Sequence, residues 1–154
     1  MKEKKGISLI ILIITIAIMS ILAISVGYFN NIVENSEFQL IFTNMKLIQT
    51  KVKVISEKTN FDGDKTRFIG EKLKDVPNKY EIAGEALTEE ELEDENFYIY
   101  NQEILNNIGL EGIKLKDDEI YIVNYNTLDI IYPKGCVDFN GQVKRRLSEI
   151  TINN

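Results

Sequence analysis

The sequence contains no histidine and a single cysteine, Cys136, among its 154 residues. Without histidine the usual general base of enzymes is missing. A lone cysteine excludes an internal disulfide and any Cys/His metal cluster. The serine, threonine and carboxylate side chains show no spacing typical of an activated nucleophile or of a catalytic acid/base pair. These absences argue against an enzyme, and no cofactor or metal is predicted.

Positive charge is also scarce outside the start of the chain. The formal net charge is −6, and because the first six residues contribute +2 (three Lys, one Glu), the rest carries −8. Such a surface repels phosphate backbones, so general nucleic-acid binding is not expected.

Charged residues and proline are both absent from Gly6 to Val33. Ile7 to Val26 alone is a run of apolar and small residues about 30 Å long as a helix, which matches the hydrocarbon core of a bilayer. Lysines precede the run and glutamates follow it. The positive-inside rule therefore predicts a single-pass membrane protein with its N-terminus in the cytoplasm and the remainder outside.

The junction between the leader and this run has a specific form. A short basic leader ends in Gly6, and the apolar helix begins at once with Ile7. Over about residues 2–30 this resembles the class III leader of type IV pilins and type II secretion pseudopilins. The resemblance implies cleavage by a prepilin peptidase between Gly6 and Ile7, followed by methylation of the new N-terminus. It also implies assembly with other pilin-like subunits on an assembly platform.

The chain departs from that family at the fifth mature position. Most members have a glutamate there, which is thought to neutralise the free amine of a neighbouring subunit, and this chain has Ile11. The departure favours a minor, initiating or divergent subunit over the major subunit of a filament.

Small residues recur on one side of the apolar run. They are Ala17, Ser20, Ala23 and Gly27. Small residues let two membrane helices approach closely, which predicts a packing face between subunits. The alternative is that small residues are simply common in membrane helices.

After the apolar run the hydrophobic pattern becomes amphipathic. The apolar positions are Phe38, Ile41, Met45, Ile48, Val52 and Ile55. Their spacing of three and four residues predicts that one helix from about Ile7 to Glu57 continues with a stripe that a small domain covers. The predicted organisation is a leader (1–6), a membrane or filament-core half of the helix (7–33), an amphipathic half (34–58) and a globular head (59–154). We expect an α+β fold in which a long helix packs against a small antiparallel sheet, as in pilins.

Several local signals predict the elements of the head. The segment from Thr59 to Asp64 reads as a polar loop, and a short helix is expected over Thr66–Leu73. Thr88 and Glu91 form a capping box. A further short helix is expected to start at Asn101 and end at Gly109 with a Schellman motif.

Strands are expected at three places along the head. Phe97–Tyr100 is the first, and Glu119–Tyr125 and Asp129–Tyr132 form a hairpin that Pro133 closes. Asn140-Gly141 predicts a type I′ turn in a final hairpin.

Charged clusters leave alternatives open. Asp62 and Asp64 read as a turn or as the start of a calcium loop. Seven acids between Glu85 and Glu95 read as a solvated face, a cation site or a docking patch. Lys144-Arg145-Arg146 reads as a charged sheet edge or as a contact with that acidic region in another subunit.

The expected function is a pilin-like subunit of a surface filament or of a secretion or uptake machine. Two other functions remain open. The first is a membrane-anchored extracytoplasmic binding or sensor module that never polymerises. The second is a secreted protein whose signal peptide is cleaved near Ala23-Ile24-Ser25.

Overall fold

A computed structural model of the chain describes the backbone of residues 2–150 and the side chains of residues 11–19 and 36–150. A long helix, α1, covers Lys2–Asp62. The chain divides into two compact units, Met1–Glu37 and Phe38–Asn154. In the first unit the Thr15 hydroxyl donates to the Ile11 carbonyl at 2.8 Å, which satisfies a polar group inside an apolar stretch.

Helix α1 ends later than the sequence indicated. Gly63 stops it by adopting a φ of +68°, and its N–H donates to the Thr59 carbonyl at 2.8 Å. The polar loop predicted from Thr59 is therefore wrong for its first four residues. Thr59 lies within the helix, and its buried hydroxyl is satisfied by donating to the Ile55 carbonyl at 2.8 Å.

The second unit is built on one antiparallel sheet whose five strands follow one another in chain order. The strands are β1 Glu71–Lys72, β2 Phe97–Tyr100, β3 Tyr121–Asn124, β4 Ile130–Val137 and β5 Val143–Arg146. Three short helices lie between them: α2 Lys79–Ala83, α3 Glu89–Leu92 and α4 Gln102–Asn107. The prediction of an α+β fold with a helix packed against an antiparallel sheet is confirmed.

The two central strands are buried on both faces. Every residue of β2 and β3 is buried, and their side chains alternate between two separate clusters. Tyr98 and Tyr100 point to the cluster formed with α1, whereas Phe97 and Ile99 point to the other cluster. That second cluster is completed by Leu73 and the chain through α2 and α3. The sheet is therefore the middle of three layers.

The predicted helix caps are confirmed. At α3 the Thr88 hydroxyl accepts from the Glu91 N–H, and the Glu91 carboxylate accepts from the Thr88 N–H. At α4 the Asn101 side chain accepts from the Ile104 N–H at 3.0 Å.

The predicted end of α4 is confirmed as well. The Leu110 N–H donates to the Leu105 carbonyl, the Gly109 N–H donates to the Asn106 carbonyl, and Gly109 has a φ of +81°. This is the Schellman pattern.

In the first half of the head one local prediction is wrong and one helix was not predicted. The stretch Thr66–Leu73 forms no α-helix, because its backbone joins the sheet edge as β1 between two short 3₁₀ turns. Helix α2 has no counterpart among the predicted elements.

Pro133 does not close the strand it was expected to end. Strand β4 continues to Val137 through a shift in its register with β5, where proline's missing N–H is tolerated. Gly135 is required there, since a Cβ on it would lie 2.7 Å from a Val143 methyl group.

The last hairpin does not contain a type I′ turn. That turn needs positive φ at both Asn140 and Gly141, and only Gly141 has it, at +78°. The Gly141 N–H donates to the Asp138 carbonyl and the Asp138 N–H donates to the Gln142 carbonyl. Asp138 fixes this wider loop by accepting from the N–H groups of Asn140 and Gln142, both at 2.9 Å.

A series of hydrogen bonds inside the apolar core links α1, strand β2 and the backbone at Ile69 through Tyr125. The hydroxyls of Tyr100 and Tyr125 lie 2.6 Å apart. Tyr125 also accepts from the Ile69 N–H and donates to the Ile69 carbonyl, both at 3.0 Å, so Tyr100 is the donor of the pair. Ser56 on α1 donates to the Tyr125 carbonyl at 3.0 Å. Burial raises the pKa of both tyrosines.

Replacing Tyr125 by Phe is expected to cost more stability than replacing Tyr100 by Phe. Tyr125→Phe leaves the Tyr100 hydroxyl and both backbone groups of Ile69 without their partner, a loss of about 2–4 kcal/mol. Tyr100→Phe removes a single donor, at about 1 kcal/mol. The free energy of unfolding of the two variants, measured with urea, provides the comparison, and equal losses would contradict it.

The same tyrosines predict an alkaline loss of stability. Above about pH 10 the unfolded chain ionises its tyrosines while the folded chain keeps Tyr100 and Tyr125 protonated. The unfolded state then binds fewer protons, so the free energy of unfolding falls with rising pH. Tyr100→Phe should reduce the slope of that fall.

Candidate functional site

The predicted residues of the N-terminal region are only partly described. Ala17 is exposed. The processing prediction at Gly6 and Ile7, and the remaining small residues Ser20, Ala23 and Gly27, lie outside the residues whose surroundings the structure describes. Ile11, at the position of the missing glutamate, is 58 % exposed.

The six residues of the amphipathic stripe all lie on the side of α1 that faces the sheet. Ile48 and Val52 are fully buried and Met45 nearly so. Phe38 and Ile41 are buried at the start of the stripe, and Ile55 is half-buried at its end. These side chains contact the tyrosine-rich face of the sheet, so they hold the helix to the head.

A second apolar line runs along the opposite side of the same helix, and the sequence analysis did not identify it. Its members are exposed and seven residues apart: Leu40 (61 %), Leu47 (46 %), Val54 (43 %) and Phe61 (91 %). We call these four residues the outer stripe. The regular spacing is the signal that would have revealed it, because a repeat of seven keeps residues on one side of a helix.

Lysines flank the outer stripe on both sides. Lys46 and Lys53 precede stripe residues by one position, and Lys51 and Lys58 follow them by four. In a helix pair these are the flanking positions that face the partner. Two copies paired stripe to stripe would set lysine against lysine in either direction, so the charges disfavour self-pairing. Lys53 is partly compensated by Glu57 at 3.9 Å.

The acidic segment is largely neutralised within its own chain. Four of its seven acids pair with basic side chains: Glu85 with Arg145, Glu91 with Arg146, Glu93 with Lys79 and Glu95 with Lys74. A fifth, Asp94, accepts from the backbone and side chain of Asn96. The acidic contact considered for the Lys144–Arg146 cluster is therefore made inside one molecule.

Arg146 is the centre of this pairing. Its Nη2 lies 2.6 Å from a Glu91 oxygen, and Nε and Nη2 both donate to the Ala86 carbonyl at 3.1 and 3.0 Å. Its Nη1 lies 3.8 Å from Asp129. Burial alone would raise the pKa of the Glu91 carboxyl, but the hydrogen bonds from Arg146 and Thr88 outweigh it and lower that pKa. We call this guanidinium, with its bonds to Ala86 and Glu91, the Arg146 fork. It joins strand β5 to helix α3.

A polar cleft of about 470 Å³ lies beside this fork. Its side chains already have partners: Gln49 donates to the Leu128 carbonyl, Asn124 accepts from two turn N–H groups, and Asp129 accepts from Ser148. Among the described residues no buried side-chain nitrogen or oxygen lacks a hydrogen bond. One of these bonds, from Gln49 to the Leu128 carbonyl, joins α1 to the turn between β3 and β4 beside the cleft.

The possible calcium loop is occupied by protein contacts. Asp62 lies 2.6 Å from an Arg67 nitrogen, and Asp64 accepts from the backbone and hydroxyl of Thr66. In the described part of the chain no group of three or more potential metal ligands comes together.

Replacing Arg146 by Met is expected to cost about 1–3 kcal/mol, because Glu91 and the Ala86 carbonyl lose their donors in a partly buried site. The matched control is Lys53→Met, which breaks the exposed pair with Glu57 and should cost less than about 0.5 kcal/mol. Urea unfolding measures both variants.

Because the pKa of the Glu91 carboxyl is lowered from 4.5, the stability that this carboxylate contributes is present above that pH and is lost as the pH falls. The difference in the free energy of unfolding between Arg146→Met and wild type should therefore become smaller below about pH 4. A difference that does not change with pH would contradict the role assigned to Arg146 and Glu91.

Within the described residues no helix has both the length and the apolar character that a membrane crossing requires.

Comparison with known proteins gives no family for this chain, since no family model, curated protein or solved structure matches it.

Proposed function

We propose that this chain is a pilin-like subunit, a minor pilin or pseudopilin, of an extracytoplasmic filament or of a secretion or uptake machine. In this proposal a prepilin peptidase removes the leader after Gly6. The N-terminal half of α1 lies first in the membrane and then in the filament core, while the head remains outside the cytoplasm. The work of such a subunit is mechanical assembly, in which contact with other subunits replaces contact with lipid.

The observation that carries the proposal is the two-sided character of α1 in the head. One apolar line is buried against the sheet, and the outer stripe is exposed on the opposite side. A helix that served only to complete its own domain would need a single apolar line. The outer stripe thus favours a protein that packs against further subunits.

Two further features favour a different protein as the partner over a second copy. Lysines on both sides of the outer stripe disfavour pairing with the same stripe. Ile11 has no carboxylate with which to neutralise a neighbour's terminal amine, and an unpaired buried charge is costly. A glutamate-bearing subunit with acidic groups near its own helix would answer both requirements.

The membrane part of the proposal rests on sequence. The run from Gly6 to Val33 has no charge and lysines precede it, which favours a single-pass location in the cytoplasmic membrane with the head outside. A non-polymerising anchored binding module would share this location, so processing and assembly are the properties that separate the two functions.

Processing is the first test. Protein extracted from membranes of cells that contain a prepilin peptidase should begin at Ile7 and carry about one extra methyl group by intact mass. Gly6→Val is the matched control, because a branched side chain at the cleavage site should block the cut and leave Met1 in place. A wild-type protein that starts at Met1 would favour the anchored module, and one that starts near Val26 would favour a secreted protein.

Assembly is the second test. With the assembly machinery but no other pilin, we expect few filaments of this chain, and substoichiometric incorporation when a glutamate-bearing pilin is present. Ile11→Glu should raise self-assembly because it supplies the missing carboxylate, whereas Ile11→Gln, which is polar but uncharged, should not. Sheared filaments quantified by immunoblot provide the measurement. Abundant filaments of the wild-type chain alone would contradict the partner requirement.

A further inference from the structure

The loop between β4 and β5 exposes an apolar tip that the proposed function does not use. Val137, Phe139 and Val143 are 43 %, 61 % and 50 % exposed. Asp138 is the only ionisable residue from Val137 to Val143. Its carboxylate accepts from two N–H groups of the same loop, so the loop itself occupies part of that charged group's hydrogen-bonding capacity. We call residues 137–143 the hairpin tip.

The hairpin tip lies against the beginning of the head. The ring of Phe139 meets the ring of Phe38 edge to face, with 5.2 Å between the ring centroids. Phe38 is the first residue of the second compact unit. The tip is therefore at the end of the head where the chain enters it.

Chain connectivity sets an upper limit on the distance between this end of the head and the uncharged run. Phe38 lies five positions after Val33, and five steps along a chain of any conformation span at most about 18 Å. The last part of the run contains Tyr28 and Phe29, aromatic residues of the type enriched at membrane surfaces. With the run in a bilayer as far as Val33, this limit leaves the hairpin tip within reach of the lipid headgroups.

We propose that the hairpin tip inserts into the membrane interface as a second lipid contact beside the N-terminal helix. The tip has three exposed apolar side chains, and its one carboxylate accepts hydrogen bonds from the tip's own backbone. This composition is compatible with the boundary between lipid headgroups and acyl chains. Lys144, which follows the tip directly, adds a positive charge of the kind that anionic headgroups attract. This inference rests on the membrane anchorage in the proposed function, and it adds a contact that must break when the subunit leaves the membrane.

The absence of tryptophan from the chain allows a direct test, since a single introduced tryptophan reports on its own site. The full-length chain carrying Phe139→Trp is reconstituted into vesicles of phosphatidylcholine and phosphatidylglycerol, with and without brominated acyl chains. Bromine quenches tryptophan only at short range. We expect blue-shifted emission and quenching several-fold stronger than in the matched control Phe61→Trp. Phe61 is 91 % exposed and lies 23 residues farther along α1, about 34 Å from Phe38 along the helix axis.

Further variants separate the inference from the proposed function. Val137→Trp is a second probe of the tip, and Ile18→Trp reports whether the N-terminal run is in lipid. Quenching at Ile18→Trp without quenching at either tip position would overturn the inference and leave the anchorage intact. No quenching at any of the three positions would overturn both.

A third result concerns contact between protein copies. Emission that is blue-shifted at Phe139→Trp, unaffected by brominated lipid and dependent on the ratio of protein to lipid would assign the tip to a protein contact. That result would also overturn the inference.

Discussion

The burial of one side of α1 against the sheet is the interaction on which the head depends. Ile48 and Val52 are fully buried there, and each such side chain removed from water contributes about 1.5–3 kcal/mol. Without the helix the tyrosine face of the central strands would be exposed. Without the sheet the helix would carry an apolar line on each of two sides. The two elements form one core, and the hydroxyls of Tyr100 and Tyr125 set the position of the loop at Ile69 within it.

The central strands of the sheet are buried on both faces because different elements cover each face. A long helix covers one face, while the other is covered by the short helices α2 and α3 with their connecting turns. Short helices cannot bury much surface by themselves. Their placement is reinforced by the fork of Arg146, which joins α3 to the far edge of the sheet. The partly buried pair of Arg146 and Glu91 thus adds to the stability of this layer.

Sequence reasoning succeeded where the determinants are local. The capping box at Thr88 and the Schellman stop at Gly109 depend on residues within one turn, and the strand at Phe97–Tyr100 is apolar and aromatic throughout. It failed where a distant partner decides the outcome. Pro133 sits within β4 only because the register with β5 shifts there. Glu85 and Glu91, which pair with Arg145 and Arg146, lie 60 and 55 residues away from them.

The outer stripe differs from those failures because it was visible in the sequence. Its four apolar residues recur every seven positions: Leu40, Leu47, Val54 and Phe61. The six apolar residues of the amphipathic stripe already explained the helical periodicity of this segment, so the second repeat was overlooked. Only the structure shows that one line is covered and the other is not. An exposed apolar line bordered by like charges is attractive to a partner and repulsive to itself, which is how natural helices select a different sequence as neighbour. In the proposed assembly Ile11 has a similar effect, because it offers no carboxylate to a neighbour's terminal amine. Under the proposed function, these two sites, about thirty residues or more apart in sequence, favour the same kind of partner, one that supplies negative charge.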